Sequence, residues 1–437
     1  MYSTRSATLG IESTSSSPPI RLCSYSPLTL LHFRYTEYLS KKQAAELVAP
    51  HKDTLELVHS WLGRHGVPSS SILPSHAGGW LMITGVPTSQ ADGLLGASYQ
   101  LYRHTGTNST EPVLRTVSYA IPAALHAHVQ MVAPTTYFPS PRKPSIKEAA
   151  VMINATGELV NVLSKRAGLV SPSFLRTLYK TEAYVPVAMD KNGLGVLGLE
   201  NQYPSKEDFT KFMKNYRKDA VATDFTVEQI NNGGNDPNNP GVEASLDTQY
   251  AAAMSFPTQQ IFYSTGGYMT MSPTNGKPVP GDALLEWLNF LFKEETNTPP
   301  TISISYGFAE DTVPPAYTDA LCDLFAKLGA IGVSVLAGSG DHGVGRGECI
   351  DSSGNIMFRP MFPATCTCIS MCAIHMRRMS LTRPPRFCRS PCHQCRWHDV
   401  PRPRDHVARL RGRLLTPLYT PGLPSARGGH LSRASQK

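Results

Sequence analysis

At 437 residues and 47.6 kDa the chain is long enough for two or three domains, and 41% apolar against 17% charged residues argues against wholesale disorder. The net charge of +8 would point to an anionic partner, but residues 370–437 hold 14 Lys+Arg against 2 Asp+Glu, leaving 27 against 31, or −4, for the rest. A slightly acidic body is joined to a strongly basic tail, and no apolar run reaches the roughly 18–20 residues that span a bilayer. Neither a nucleic acid nor a membrane is therefore expected as a partner of the body. Residues 1–35 are rich in Ser, Thr and Pro and lack the apolar core of a signal peptide, so they read as a disordered or misassigned leader. From Tyr38 to Val67 apolar residues recur at helical spacing, ending near Gly66 and Pro68. Trp80–Val86 reads as a strand, Ala91–His104 as a short helix running into a strand, and Val113–Pro122 as a further strand. That order predicts a small α/β sandwich over residues 36–140. Residues 141–169 read as a linker. Within residues 170–369, Gly195–Glu200, Thr301–Gly307 and Gly332–Gly338 are short apolar runs without alternation, as in strands buried on both faces. Helical segments Lys206–Tyr216, Glu243–Ser255, Asp282–Lys293 and Pro314–Leu328 alternate with them, which predicts a doubly wound parallel sheet. Periodicity stops after Thr367, and residues 370–437 are expected to be a disordered tail.

Two places could carry chemistry. Glu243 and Asp247 stand four apart at the start of a helix, about 6 Å apart along its axis, and facing carboxylates of this kind can share a proton. Asp224/Glu228, Asp282/Glu286 and Asp319/Asp323 have the same offset, so spacing alone leaves the pair open to reading as an ordinary helix face. What sets it apart is the Gly/Asn/Pro loop of residues 233–241, which places both acids in the first turns, where the helix dipole favours anions. The second place is Asp341, which with His342 lies in a glycine-rich loop directly after a predicted strand. Ligands in open α/β sheets bind beyond the carboxyl ends of the strands, although a simple Asx turn would look the same. The neighbouring GVGRG does not open a helix and does not fit a dinucleotide fingerprint.

With these residues in view the chain resembles the sedolisins, the serine-carboxyl peptidases, particularly the fungal secreted tripeptidyl-peptidases. LSKKQAAELVAPHKDTLELVHSWL and LLGASYQLYRH are similar to the activation prodomain, and SPSFLRTLY, EASLD, SISYG, LCDLFAKLGAIGVSVLAGSGD and FPATC to the first part of the peptidase. The resemblance implies a subtilisin-like doubly wound sheet, here without its C-terminal half, preceded by an α/β-sandwich prodomain. It implies Glu243 as general base, Asp247 as the carboxylate that orients it, and Asp341 as a protonated donor in the oxyanion hole, hence peptide hydrolysis in acid. His342 stands where relatives more often carry Ser. Peptides with free N-termini and the chain's own prodomain are the implied partners, a monomer the implied state, and the extracellular space the implied location.

The resemblance fades just after FPATC. The family's nucleophile lies in a Gly-Thr-Ser segment, and no Gly-Thr-Ser occurs in the 437 residues, so no nucleophile is found and the chain is expected to be inactive. The C-terminal Ca2+ site of the family is likewise not matched. An abrupt change into Arg/Pro/Cys/His-rich sequence is how a frameshift or misread intron would look. Cys388, Cys392, Cys395 and His398 are loosely spaced for zinc but lack the strand and helix context of a finger. Within the matched region, Cys349 and Cys366 enclose a short loop and are expected to form a disulfide in an oxidising compartment. Asn108 and Asn154 begin N-x-S/T triplets that would carry glycans only in a secreted protein. Two other readings remain: a non-catalytic binding or inhibitory protein built from prodomain and partial groove, and nucleic-acid binding by the basic tail, which would show steep salt dependence.

Overall fold

A computed structural model describes residues 6–13, 37–102, 113–137, 170–188, 191–267, 282–338 and 360–366. Helical periodicity over Tyr38–Val67 resolves into two helices, α1 (Lys41–Leu47) and α2 (Lys52–Arg64). Ser40 and Gln43 form a reciprocal capping box at the start of α1, and Pro50, which lacks an N–H, prevents a single helix from running through. His51 restarts the helix as N-cap by accepting the Asp53 amide at 3.3 Å. The buried stripe Val58, Trp61 and Leu62 then packs on a sheet.

That sheet consists of β1 (Ser6–Ser13), β2 (Ile72–Pro74), β3 (Trp80–Pro87) and β6 (Val129–Ala133), in the order β2-β3-β1-β6, with antiparallel neighbours throughout. Helix α3 (Thr88–Leu95) and the small ribbon of β4 (Gln100–Tyr102) with β5 (Val113–Arg115) complete the sandwich. The leader corrects an expectation, because β1 comes from residues read as unstructured. Ile11 pairs with Leu81 on one side and Val132 on the other and is fully buried with Trp61, Ile83 and Val132. The strand expected over Val113–Pro122 stops at Arg115, whose side chain is buried and donates from Nε to the Tyr137 carbonyl at 2.8 Å.

From Val170 onward the chain forms α4 (Pro172–Tyr179), β7 (Gly193–Gly198), α5 (Lys206–Tyr216), β8 (Phe225–Ile230), α6 (Val242–Ser255) and β9 (Gln259–Thr265). After these come α7 (Ala283–Leu291), β10 (Thr301–Ile304), β11 (Phe308–Ala309), α8 (Pro315–Ala330), β12 (Ser334–Ala337) and β13 (Met361–Phe362). Five strands form a parallel sheet in the order β12-β10-β7-β9-β8. Leu194, Val196 and Phe262 face α5 and α6 with Phe209, Met213, Ala244 and Ala252, whereas Leu197, Tyr263 and Ile302 face α7 and α8 with Trp287, Leu288, Leu321 and Phe325. Helices therefore cover both faces, and the expected doubly wound α/β class is what the structure has. Two strands, β8 and β9, add to the three read from sequence.

The sandwich docks on α7 and α8. Ala77, Trp80, Met131, Ala133 and Tyr137 belong to the same buried cluster as Trp287, Leu291, Leu324 and Phe325. Polar contacts fix the register of the junction. The buried Lys327 ammonium donates to the carbonyls of Ala77 (3.1 Å) and Gly78 (3.2 Å), and Asn289 Oδ1 accepts the His76 amide at 2.7 Å. Tyr137 and Tyr317 hydroxyls both donate to Asp282 Oδ2, at 2.8 and 2.6 Å. Lys41 reaches the carbonyls of Lys293 and Thr296, each at 2.7 Å.

Cysteine pairing differs from expectation. Cys366 is bonded to Cys322 on α8, with Cα atoms 5.3 Å apart, and not to Cys349. The reason is tertiary: β13 pairs antiparallel with β11, Thr365 Oγ1 donates to Glu310 at 2.7 Å, and the FPATC segment is thereby laid against α8. Cys349, Asn108, Asn154, the linker and the basic tail with Cys388, Cys392, Cys395 and His398 lie outside the described residues. Among the described residues no helix is long and apolar enough to cross a membrane.

Candidate active site

Four strands of the parallel sheet, β7 to β10, send their C-terminal loops to one end, and the candidate carboxylates stand there. Loop residues 231–241 fold back so that the Gly241 amide donates to the Tyr203 carbonyl at 2.8 Å, joining the loop after β8 to the loop after β7. A Cβ on Gly241 would run into the Gln202 side chain, so only glycine can cap α6 at this approach. Gln202 Oε1 in turn accepts the Glu243 amide at 3.2 Å and satisfies an otherwise unpaired donor in the first turn of α6. Glu243 is thus fixed in that first turn, and Asp247 one turn later accepts the Ser305 hydroxyl at 2.8 Å from the end of β10. The residue after Ser305 is Tyr306, whose buried hydroxyl donates to the Leu199 carbonyl at 3.3 Å. Burial foremost, then the charge of Glu243, then those of Asp247 and Glu200, push the Tyr306 phenol far above its usual range. The side chains of EASLD and SISYG, separated by about sixty positions, therefore meet.

The other pairs of the same spacing are placed differently. Glu228 lies on β8, and Asp224 is an exposed partner of Lys206 at 2.6 Å. Asp323 on α8 is pushed up to about 6 by burial, against the pull of Lys327. Asp282 caps α7, accepting the Leu285 amide at 3.0 Å, and burial raises its pKa while its hydroxyl and amide donors oppose the rise. Glu286 is pushed up to about 7 by burial and then by the Asp282 charge. Asp341 and His342 lie outside the described residues; the chain leaves β12 at Gly338, whose amide donates to Ile304 at 2.9 Å, three residues before Asp341.

Sequence reading passed over Glu200, Gln202, Ser305 and Tyr306 as site residues. A signal for Glu200 was present, since it is an acid directly after a buried strand, the position that drew attention to Asp341. Among the described residues no group of three or more His, Cys, Asp or Glu is placed to hold a metal ion.

A folded N-terminal body docks on a doubly wound α/β domain that carries an acid pair at the carboxyl end of its sheet. Comparison with known proteins makes this specific. Residues 29–138 match the pro-kumamolisin activation domain. "Probable tripeptidyl-peptidase SED3" of Trichophyton verrucosum (strain HKI 0517) is 34% identical over 343 residues, 77% of this chain and 57% of that protein. "Tripeptidyl-peptidase SED2" of Arthroderma otae (strain ATCC MYA-4605 / CBS 113480) is 32% identical over 346 residues, 76% and 57% respectively. The chain is similar to the fungal tripeptidyl-peptidases of the sedolisin family, and its N-terminal part matches their type of activation domain. It spans 57% of the length of these curated relatives. A solved Pseudomonas sedolisin (serine-carboxyl proteinase), complexed with two molecules of pseudo-iodotyrostatin, aligns at 19% identity and a TM-score of 0.33 over 46% of this chain and 52% of that one, too low to bear on the fold.

Proposed function

We propose that the locus encodes a secreted acid peptidase, made as a proenzyme, that removes tripeptides from free N-termini. In this reading Glu243 takes the proton of a serine nucleophile, Asp247 orients and polarises Glu243, and Asp341, protonated in acid, donates to the oxyanion that forms at the scissile carbonyl. The observation that carries it is the meeting of Glu243 and Asp247 with Ser305 and Gln202 at the carboxyl end of the parallel sheet. A carboxylate base works only where it is itself ionised while the oxyanion donor is still protonated, which restricts turnover to acid. The 437 residues contain no Gly-Thr-Ser, so the chain as it stands is expected to be silent toward a tripeptide-linked chromogenic substrate at acidic pH. Turnover by this chain that disappears in Glu243→Gln would overturn that expectation. The coding DNA tests the wider reading. Translation of the other frames after Thr367 should yield a Gly-Thr-Ser segment, and the chain continued through it should hydrolyse the substrate, with Glu243→Gln slowing it by about 10²–10⁴-fold. A continued chain whose turnover is the same with and without Glu243 would sink the assignment.

A second reading, inhibition of related peptidases by the sandwich, draws support from the junction with α7 and α8, where Lys327, Asn289 and Tyr137 make specific contacts. Unchanged activity of an active sedolisin mixed with a stoichiometric amount of the chain would end that idea.

A further inference from the structure

Asp247 can orient and polarise Glu243 only if its own carboxylate is ionised and held in one direction. A half-buried aspartate on a helix has two rotatable bonds and samples several rotamers unless a partner fixes it. Ser305 supplies such a partner: its hydroxyl donates to Asp247 Oδ1 at 2.8 Å, across a sequence separation of 58. The backbone on either side of Ser305 is pinned. Before it, β10 pairs with β7 on one side and β12 on the other. After it, the buried Tyr306 rests its hydroxyl on the Leu199 carbonyl at 3.3 Å. A Cβ on Gly307 would run into the Phe362 carbonyl, so the chain passes close against β13 before pairing with it as β11. On the other side of the contact, Gln202 Oε1 ties the first turn of α6 through the Glu243 amide at 3.2 Å. Within that helix Thr248 Oγ1 donates to the Ala244 carbonyl at 2.6 Å. The Ser305 side chain is itself exposed, so it fills no place in the core.

We propose that Ser305 is a positioning residue, whose hydroxyl holds the Asp247 carboxylate ionised and aimed from the fixed end of β10. This deepens the reading of Glu243 and Asp247 as base and orienter and rests on it. A hydroxyl that donates to a carboxylate stabilises the charged form over the neutral one, because the protonated oxygen is the weaker acceptor. Two rigid elements, the end of β10 and the first turns of α6, therefore set the direction of Asp247 before any substrate arrives. Ser305 keeps its own proton throughout, and no bond to it is made or broken. Glu243 on α6 and the Tyr306 phenol after β10 stand near Asp247 and are left intact by the variants below.

The contact can be read on Asp247 itself without any turnover. The full chain, carbon-13 labelled at aspartate carboxyls, is titrated by NMR from about pH 2 to pH 8, with Asp247→Asn identifying the Asp247 resonance. Ser305→Ala should raise the Asp247 step by about half a pH unit or more. Ser305→Thr and Ser305→Val have nearly the same shape and differ in the hydroxyl, so Thr should titrate close to the wild type and Val close to Ala. An Asp247 step unmoved in Ala and Val, or displaced as far in Thr as in Val, would overturn the proposal, because a serine with a merely structural role would not follow the hydroxyl. Failure of the peptidase reading looks different: the continued chain would not turn over substrate, while the Asp247 step would still follow the hydroxyl.

Discussion

Replacing Glu286 by Gln should change how the stability of the protein depends on pH. Glu286 lies on α7, one turn after the buried Asp282, and is pushed from 4.5 up to about 7 by burial, with the Asp282 charge adding to the rise and Lys293 opposing it. A group whose pKa is raised by folding favours the folded state in its protonated form. Its contribution is fully present below about pH 4.5 and is lost as pH climbs through about 7. A rise from 4.5 to about 7 corresponds to roughly 3 kcal/mol at 1.36 kcal/mol per unit. Partial access of water to Glu286 reduces this to about 2 kcal/mol. Gln cannot ionise, so Glu286→Gln should gain about 2 kcal/mol on the wild type between pH 4.5 and pH 7.5, whatever its offset at either end. Urea unfolding at several pH values, followed by tryptophan fluorescence, gives the difference from the midpoint shift and the slope. Curves for the two proteins that stay parallel across the window would refute the reasoning.

Three further outcomes are expected. Lys327→Ala leaves the Ala77 and Gly78 carbonyls without that donor at the junction and should cost about 2–4 kcal/mol, with faster hydrogen exchange at the His76 and Ala77 amides; unchanged exchange there would count against the contact. Tyr137→Phe removes one of two hydroxyls from Asp282 and should lower the unfolding temperature more at pH 8 than at pH 4, because those donors hold the Asp282 carboxylate against its burial; an equal loss at both would be wrong for this geometry. Cys322→Ser opens a crosslink across a sequence separation of 44 and should destabilise by about 4 kcal/mol through loop entropy. It should also free the Cys366 thiol, which Cys349→Ser should not; the reverse result would restore the Cys349–Cys366 pairing.

Much of this architecture was legible because its signals are local. Trp80–Val86 reads as a strand and is one, and the helix at Lys206–Tyr216 has the same ends in sequence and structure, set by Ser205 accepting the Asp208 amide. β8 was missed because, as the edge strand of the sheet, it alternates with polar residues such as Glu228 and Gln229. β9 was missed because it opens on Gln259–Gln260, although Gln260 is buried. β1 carries too few large apolar residues to stand out, and its place between β3 and β6 depends on partners far along the chain. Cysteine pairing failed for the same reason: sequence distance favours Cys349, while the turn of β13 onto β11 delivers Cys366 to α8. At the site, Glu243 and Asp247 could be picked out by their loop and spacing. Ser305 and Tyr306 reach the site only through the order of the parallel strands, which no single stretch of sequence carries.

The apolar cluster shared by the sandwich and α7–α8 has a consequence for how such a precursor would be switched on. A cut in the connector severs the covalent link but leaves Trp80, Met131 and Tyr137 against Trp287, Leu291 and Phe325. Parting the two bodies would expose that surface to water at roughly 25 cal/mol per Å² of apolar area. On the proposed reading, cleavage and departure would be separate events with separate rates. A nicked protein would persist as a non-covalent complex, co-eluting on size exclusion and separable only under conditions that loosen the junction or digest the sandwich away.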